Sequence, residues 1–350
     1  MKPKKINPRV ELVSLLRGFF SLPVIISLSR FGIIEKILKK KKSVYDFKNV
    51  KNKEFLNSIF KYLCSLGILK LENKNKKNQK FLTTKLGKKI LVRKGSFHLL
   101  NSYGPFINNI DKLLTSSSNK NISCDRKENV IGSGLTNGRK FFPKCFEFFK
   151  KNDFDIVADI GCGDGDYLSR SIKYFSNSDF FASDVSSKAI FQCRKNLSSN
   201  YPKKKITYFR SDASNANKWC TKLNKLKLKK NSKILITFWY VIHEISENNK
   251  YKVINFFKKI KKVCPNADIV IGEIVKIDET TLFANKEFSI LPEFLFFHEI
   301  SGQGVLSIKD LNFIKSKIPY KLINYHEFDH VYQNKKKIPS AIIWHLRPNK

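Results

Sequence analysis

The chain reads as an α/β protein, an open sheet with helices between its strands, preceded by a mainly helical region. Three observations predict this. Residues 154–160 form a short apolar run, broken only by Asp155 and Asp159, that enters Gly161, Gly163 and Gly165 and then a helical pattern at Leu168, Ile172 and Phe175. Three more apolar runs of strand length follow at 180–185, 206–213 and 233–238, with helical patterns between them. Ahead of all this, residues 9 to about 70 carry helical periodicity and end in a hairpin pattern.

The glycine turn sets the ligand class. A strand, a tight glycine turn and a helix N-terminus form a cradle where backbone approaches a nucleotide-like ligand closely, as in a Rossmann-like sheet. A dinucleotide fingerprint would need its last glycine at 166, and that residue is Asp166. The spacing is G-x-G-x-G, with Asp159 two residues ahead of Gly161. An acid at that strand end suits a ligand with an ammonium group better than one with a pyrophosphate. The second run ends in Asp184, 21 residues after Gly163, where an acid reaches a ribose hydroxyl pair in such folds. The third ends in Asp212-Ala213, and the fourth leads into Trp239-Tyr-Val-Ile-His243-Glu. Any one of these acids could be a helix cap or a solvated loop residue; three at successive strand ends point to a ligand.

Taken in order, the N-terminal region starts with Leu12, Leu15, Leu16, Phe19 and Phe20 at helical spacing, then Ile33, Ile34 and Ile37. Residues 52–63 are strongly amphipathic, and Gly67 stops that helix. Residues 68–71 and 81–87 read as two arms of a hairpin around a polar tip, which makes a winged-helix pattern. Residues 94–115 read as helical, and Ser116-Ser-Ser-Asn is a linker signal. Gly132, Gly134 and Gly138 read as a loop, followed by an aromatic helix at 141–149 that covers the ligand site. Residues 320–328 and 341–346 read as antiparallel edge strands.

Composition narrows the partners. Formal net charge is +38, which raises nucleic acid or an anionic membrane. Of the 67 basic residues only ten are Arg, and the lysines spread over every segment. Phosphate and base recognition favour clustered Arg forks, so a solvated lysine surface is the better account. Seven scattered cysteines without C-x-x-C spacing give neither a metal site nor a disulfide framework, which fits a reducing cytoplasm. The longest uncharged run of the N-terminal apolar stretch, 18–29, is short of the roughly 20 residues a membrane span needs. No membrane association and no signal peptide are expected.

The D-x-G-x-G-x-G segment at 159–165 resembles motif I of class I S-adenosylmethionine-dependent methyltransferases. A winged helix ahead of such a domain resembles the layout of small-molecule O-methyltransferases of plants and bacteria, and Leu66-Gly-Ile-Leu with Leu82-Thr-Thr-Lys-Leu-Gly87 resembles that family's wing. The resemblance implies a seven-stranded methyltransferase sheet over 151–350, a connecting segment at 116–150 and a winged-helix domain at 1–115 that dimerises and does not bind DNA. It implies S-adenosylmethionine as cofactor, held by Asp159, Gly161, Gly163, Asp184, Val185, Asp212, Ala213 and Phe238. It places His243 where the family has its catalytic base, Glu244 where the family has Asp, and Glu273 where the family has the acid that orients the base. A general base near neutral pH suits methylation of a hydroxyl. His243 could equally be a satisfied histidine at a strand-to-helix turn, and Glu273 a strand-end acid.

Two departures from the family stand out. Plant members carry Lys four residues before the His, where Trp239 stands here. Residues 291–303, with His298, Glu299 and Gln303, resemble a bacterial branch that includes 2-ketoarginine methyltransferases, which methylate carbon beside a 2-oxo acid. There His243 or His298 would form an enolate, and His298 and Gln303 would face the substrate. Methylation of RNA or DNA is disfavoured, since the fourth strand is followed by neither an N/D-P-P-[YF] loop nor a Pro-Cys nucleophile.

Overall fold

Apolar runs that end in acids and glycines become the parallel strands of one seven-stranded sheet. The computed structural model describes residues 7–72, 79–115, 122–226, 232–285, 291–333 and 336–349. They pack as two compact units, Met1–Ser102 with Ile131–Thr136, and Tyr103–Val130 with Asn137–Lys350.

In the first unit the helix Lys53–Ser65 starts at Asn52, whose side chain accepts from Phe55 N at 2.9 Å. It buries Leu56, Phe60 and Leu63, one stripe at helical spacing. Phe60 meets Phe47 and Phe81 edge-on at 5.9 and 5.0 Å. Strands β1 (Leu69–Leu71) and β2 (Phe81–Thr83) pair antiparallel as the wing. The first helix, Pro8–Arg30, is a single 23-residue helix. By length and composition it is long and apolar enough to cross a membrane, with mean hydropathy 1.8 in its most apolar stretch. The isolated charges that interrupt the run in sequence do not interrupt the helix. Val10, Leu12, Leu15, Leu16, Phe19 and Phe20 on it are all exposed.

The second unit holds β3 (Ile156–Ile160), β4 (Asp179–Asp184), β5 (Ile206–Arg210), β6 (Ile234–Trp239), β7 (Ala267–Ile274), β8 (Tyr320–Gln333) and β9 (Lys336–Pro348). Their order is β5-β4-β3-β6-β7-β9-β8; β3 to β7 are parallel, and β9 and β8 are antiparallel to their neighbours. β3, β6 and β7 are buried at every position, as expected of a sheet covered by helices on both faces. Strand order reverses between β3 and β6, and ligands bind at the carboxyl ends beside such a switch point. Between β7 and β9, His345 Nε2 lies 2.9 Å from Asp268, which Arg347 also bonds. His345 is therefore structural, and these partners hold the Asp268 carboxyl below its usual range although burial works against them.

One expectation is corrected. Gly132, Gly134 and Gly138 do not form a loop; they lie inside one continuous helix, Arg126–Phe146, capped by Asp125 accepting from Lys127 N and Glu128 N. Gly132 serves close packing: a Cβ there would sit 2.5 Å from Leu99 N. The linker at 116–121 falls outside the described residues.

Candidate active site

The glycine turn begins at the end of β3. Gly161 takes φ 82°, and a Cβ on it would meet Val241 Cγ2 at 2.6 Å, so both backbone and space demand glycine. Gly163 N donates to Asp184 Oδ2 at 3.0 Å, and Ser186 N donates to Asp184 Oδ1 at 2.8 Å. The acid at the end of β4 is thereby tied to the turn, with lone pairs left over for a ligand. Burial raises its pKa above the usual carboxylate range, against those two bonds.

Asp159 is almost wholly buried, and Thr237 Oγ1 on the neighbouring strand β6 lies 2.8 Å from its Oδ1. The register Asp159↔Thr237 brings the two together. Burial pushes the Asp159 carboxyl up to about 7, with the Thr237 hydroxyl acting in the opposite direction. Beyond β5, Asp212 Oδ1 accepts from Ser214 N at 2.8 Å and Ala213 O accepts from Trp219 Nε1 at 2.9 Å, which shapes that turn. Val185 is exposed at the rim. The Phe238 side chain packs in the core against Trp219 and Phe256, so only its backbone can serve a ligand.

Past β6 the chain turns at Tyr240, a non-glycine residue held at φ 56°, and enters the short helix Ile242–Ser246. His243 Nδ1 lies 2.8 Å from Glu273 Oε1, and His243 N donates to Glu273 Oε2 at 3.1 Å. Both residues are buried. Facing a carboxylate, Nδ1 carries the proton and Nε2 is left with its lone pair. Burial opposes a charged imidazole, but the Glu273 charge and hydrogen bond outweigh it and raise the His243 pKa. Glu244 Oε1 accepts from Arg126 at 3.1 Å and from Gln303 Nε2 at 3.2 Å.

The helix Leu291–Ile300 brings a second histidine. His298 is 2% exposed, its ring centroid is 5.0 Å from that of His243, and its Nδ1 lies 2.6 Å from Phe294 O. Tyr103 stacks on Phe297 at 4.6 Å and stands 6.0 Å from His298. Gln303 lies beyond the helix end, and Glu299 faces Lys276, so Glu299 and Gln303 do not share a helical face. Gly304 N donates to His243 O at 3.2 Å and Ser246 Oγ bonds Gly304 O, which fastens the two histidine-bearing segments together. Thr237, Arg126 and Tyr103 went unnoticed in sequence. Thr237 is the sole hydroxyl in an apolar run, and Arg126 is one of only ten arginines.

Residues 157–264 match the protein family described as "Methyltransferase domain". Within the chain, that stretch has the sequence pattern of a methyltransferase domain. No curated protein sequence matches the chain significantly. Among solved structures, the chain is similar to an O-methyltransferase family protein from Burkholderia thailandensis, at 9% identity and TM-score 0.63 over 99% of each chain. It is also similar to human N-acetylserotonin methyltransferase in complex with S-adenosylmethionine, at 11% identity and TM-score 0.61 over 100% of each chain. A third is mitomycin 7-O-methyltransferase, at 11% identity and TM-score 0.58 over 97% of this chain and 98% of the other. These likenesses show that the chain shares the fold of those structures.

Proposed function

We propose that the methyltransferase moves a methyl group from S-adenosylmethionine to a hydroxyl oxygen of a small molecule, with His243 as general base. The observation that supports this reading most is the buried His243–Glu273 pair at 2.8 Å, on the segment that follows β6 at the switch point. The cleft suits the cofactor: Gly161 leaves its backbone bare, and acids stand at three strand ends for its ammonium and hydroxyl groups. Asp159, Gly161, Gly163, Asp184, Val185, Asp212, Ala213 and the Phe238 backbone hold it. When bound, its sulfonium supplies an activated methyl group and a good leaving group.

Glu273 fixes the His243 tautomer so that Nε2 takes the proton of the acceptor hydroxyl as its oxygen is methylated. His298 and Gln303 border the acceptor. In-line displacement depends on orientation, and Gly304 and Tyr240 hold the His243 segment in place. A second reading, C-methylation of a 2-oxo acid, draws on the closeness of His298 to His243: either imidazole could remove a proton from carbon.

We further infer a homodimer through the N-terminal winged-helix domain over 1–115, in which a second copy covers the exposed Leu15, Phe19 and Phe20, and a cytoplasmic enzyme whose seven cysteines are free thiols. The test is methyl transfer from labelled S-adenosylmethionine to a panel of phenols, alcohols and 2-oxo acids. His243→Ala should lower kcat by about 10²–10⁴-fold while S-adenosylhomocysteine binding is kept. Unchanged turnover in that variant refutes the base assignment, and product only on carbon moves the second reading to the front.

A further inference from the structure

The two buried histidines stand beside one another yet are anchored differently. His243 gives its Nδ1 proton to a carboxylate, and His298 gives its own to the backbone carbonyl of Phe294 at 2.6 Å. A neutral imidazole that donates through one nitrogen accepts through the other. His298 Nε2 is therefore a hydrogen-bond acceptor, and it has no hydrogen-bond partner among the described residues. Phe294 lies 4.0 Å and Tyr103 6.0 Å from its ring, centroid to centroid.

Burial first, and the neighbouring His243 second, lower the His298 pKa to about 3, against the Phe294 hydrogen bond. His243 moves the opposite way. Environments that drive two titratable neighbours apart assign them different tasks. His243 can take a proton at neutral pH; His298 stays neutral across the working range and can only receive a hydrogen bond.

We propose that His298 is the specificity-determining residue of the acceptor pocket: its Nε2 accepts a hydrogen bond from a second hydroxyl or N–H of the acceptor, on the atom next to the one that bears the methylated oxygen. This rests on the reading of His243 as base. Vicinal hydroxyl oxygens are separated by about a hydrogen-bond length, and each hydrogen bond to a ring nitrogen adds ~2.8 Å. Rings whose centroids lie 5.0 Å apart at 72° are in contact, so the paired donor lies to one side of both ring edges, with one donor on each Nε2. An acceptor with a single hydroxyl would leave Nε2 buried without a partner, and such sites reject analogues that lack the donor.

The experiment compares kcat/KM of the full-length enzyme with S-adenosylmethionine for catechol against phenol, and for 2-aminophenol against 2-methylphenol. The paired-donor probe should be preferred by at least about 30-fold. His298→Leu should collapse the ratio to within about threefold, mainly through KM, and His298→Gln, which offers an oxygen acceptor, should restore part of it. The acid limb set by His243 should stay in place in all three proteins. Equal use of both probes by the wild type, or an unchanged ratio in His298→Leu, overturns the proposal and leaves the base assignment standing. Methylation of neither hydroxyl probe by protein that binds S-adenosylhomocysteine overturns both. If His298→Leu does not fold, histidine ¹⁵N NMR of the wild type decides: an unprotonated Nε2 that shifts on adding catechol supports the proposal, and a protonated Nε2 overturns it.

Discussion

Cofactor affinity should depend on pH through Asp159. The free carboxyl titrates at about 7 because burial between β3 and β6 disfavours its charge. A cationic cofactor in the cleft favours the ionised form. Binding is then coupled to proton release, so affinity rises with pH through about 7 and levels off above it. At pH 6 about one Asp159 in eleven is ionised, and at pH 8 about ten in eleven. The apparent Kd for S-adenosylmethionine should therefore fall about tenfold between pH 6 and 8, about 1.4 kcal/mol. Calorimetric titration at half-unit pH steps reads this directly. Asp159→Asn removes the titration and should give a weaker Kd without that step. Thr237→Val removes the 2.8 Å hydroxyl contact that lowers this pKa and should move the midpoint upward. A flat wild-type profile, or the same step in Asp159→Asn, refutes the argument.

Other consequences follow from the same geometry. Glu273→Gln removes the charge that raises the His243 pKa; His243 acts only when neutral, so the acid limb of kcat should move to lower pH while the plateau falls, as read from a pH–rate profile. Gly304→Ala would place its Cβ 1.8 Å from Asn248 N, backbone against side chain, and should lower Tm by several degrees and kcat with it. Gly161→Val adds strain at φ 82° and a collision with Val241, and should abolish S-adenosylhomocysteine binding in protein that keeps its far-ultraviolet circular dichroism.

The sheet was legible because its strands are short apolar runs that stop at Asp159, Asp184 and Asp212, and because Gly161 and Gly163 could only make a turn there. The pairing of His243 with Glu273 was legible only through the family resemblance, since 30 residues separate them in sequence. Thr237 was not found because β6 is buried at every position: with no alternation, sequence does not reveal which side chain faces Asp159. The glycines at 132, 134 and 138 misled because glycine marks turns more often than close helix contacts, and the contact of Gly132 with Leu99 depends on tertiary packing. Arg126 and Tyr103 reach the neighbourhood of Glu244 and His298 only through the fold, as neither lies in a motif.

The most direct test of the account is calorimetric titration of the purified protein with S-adenosylhomocysteine, beside Asp184→Ala. The account predicts a Kd in the micromolar range, roughly −8 kcal/mol, that is lost in the variant. Absence of binding to the folded wild-type protein would contradict it.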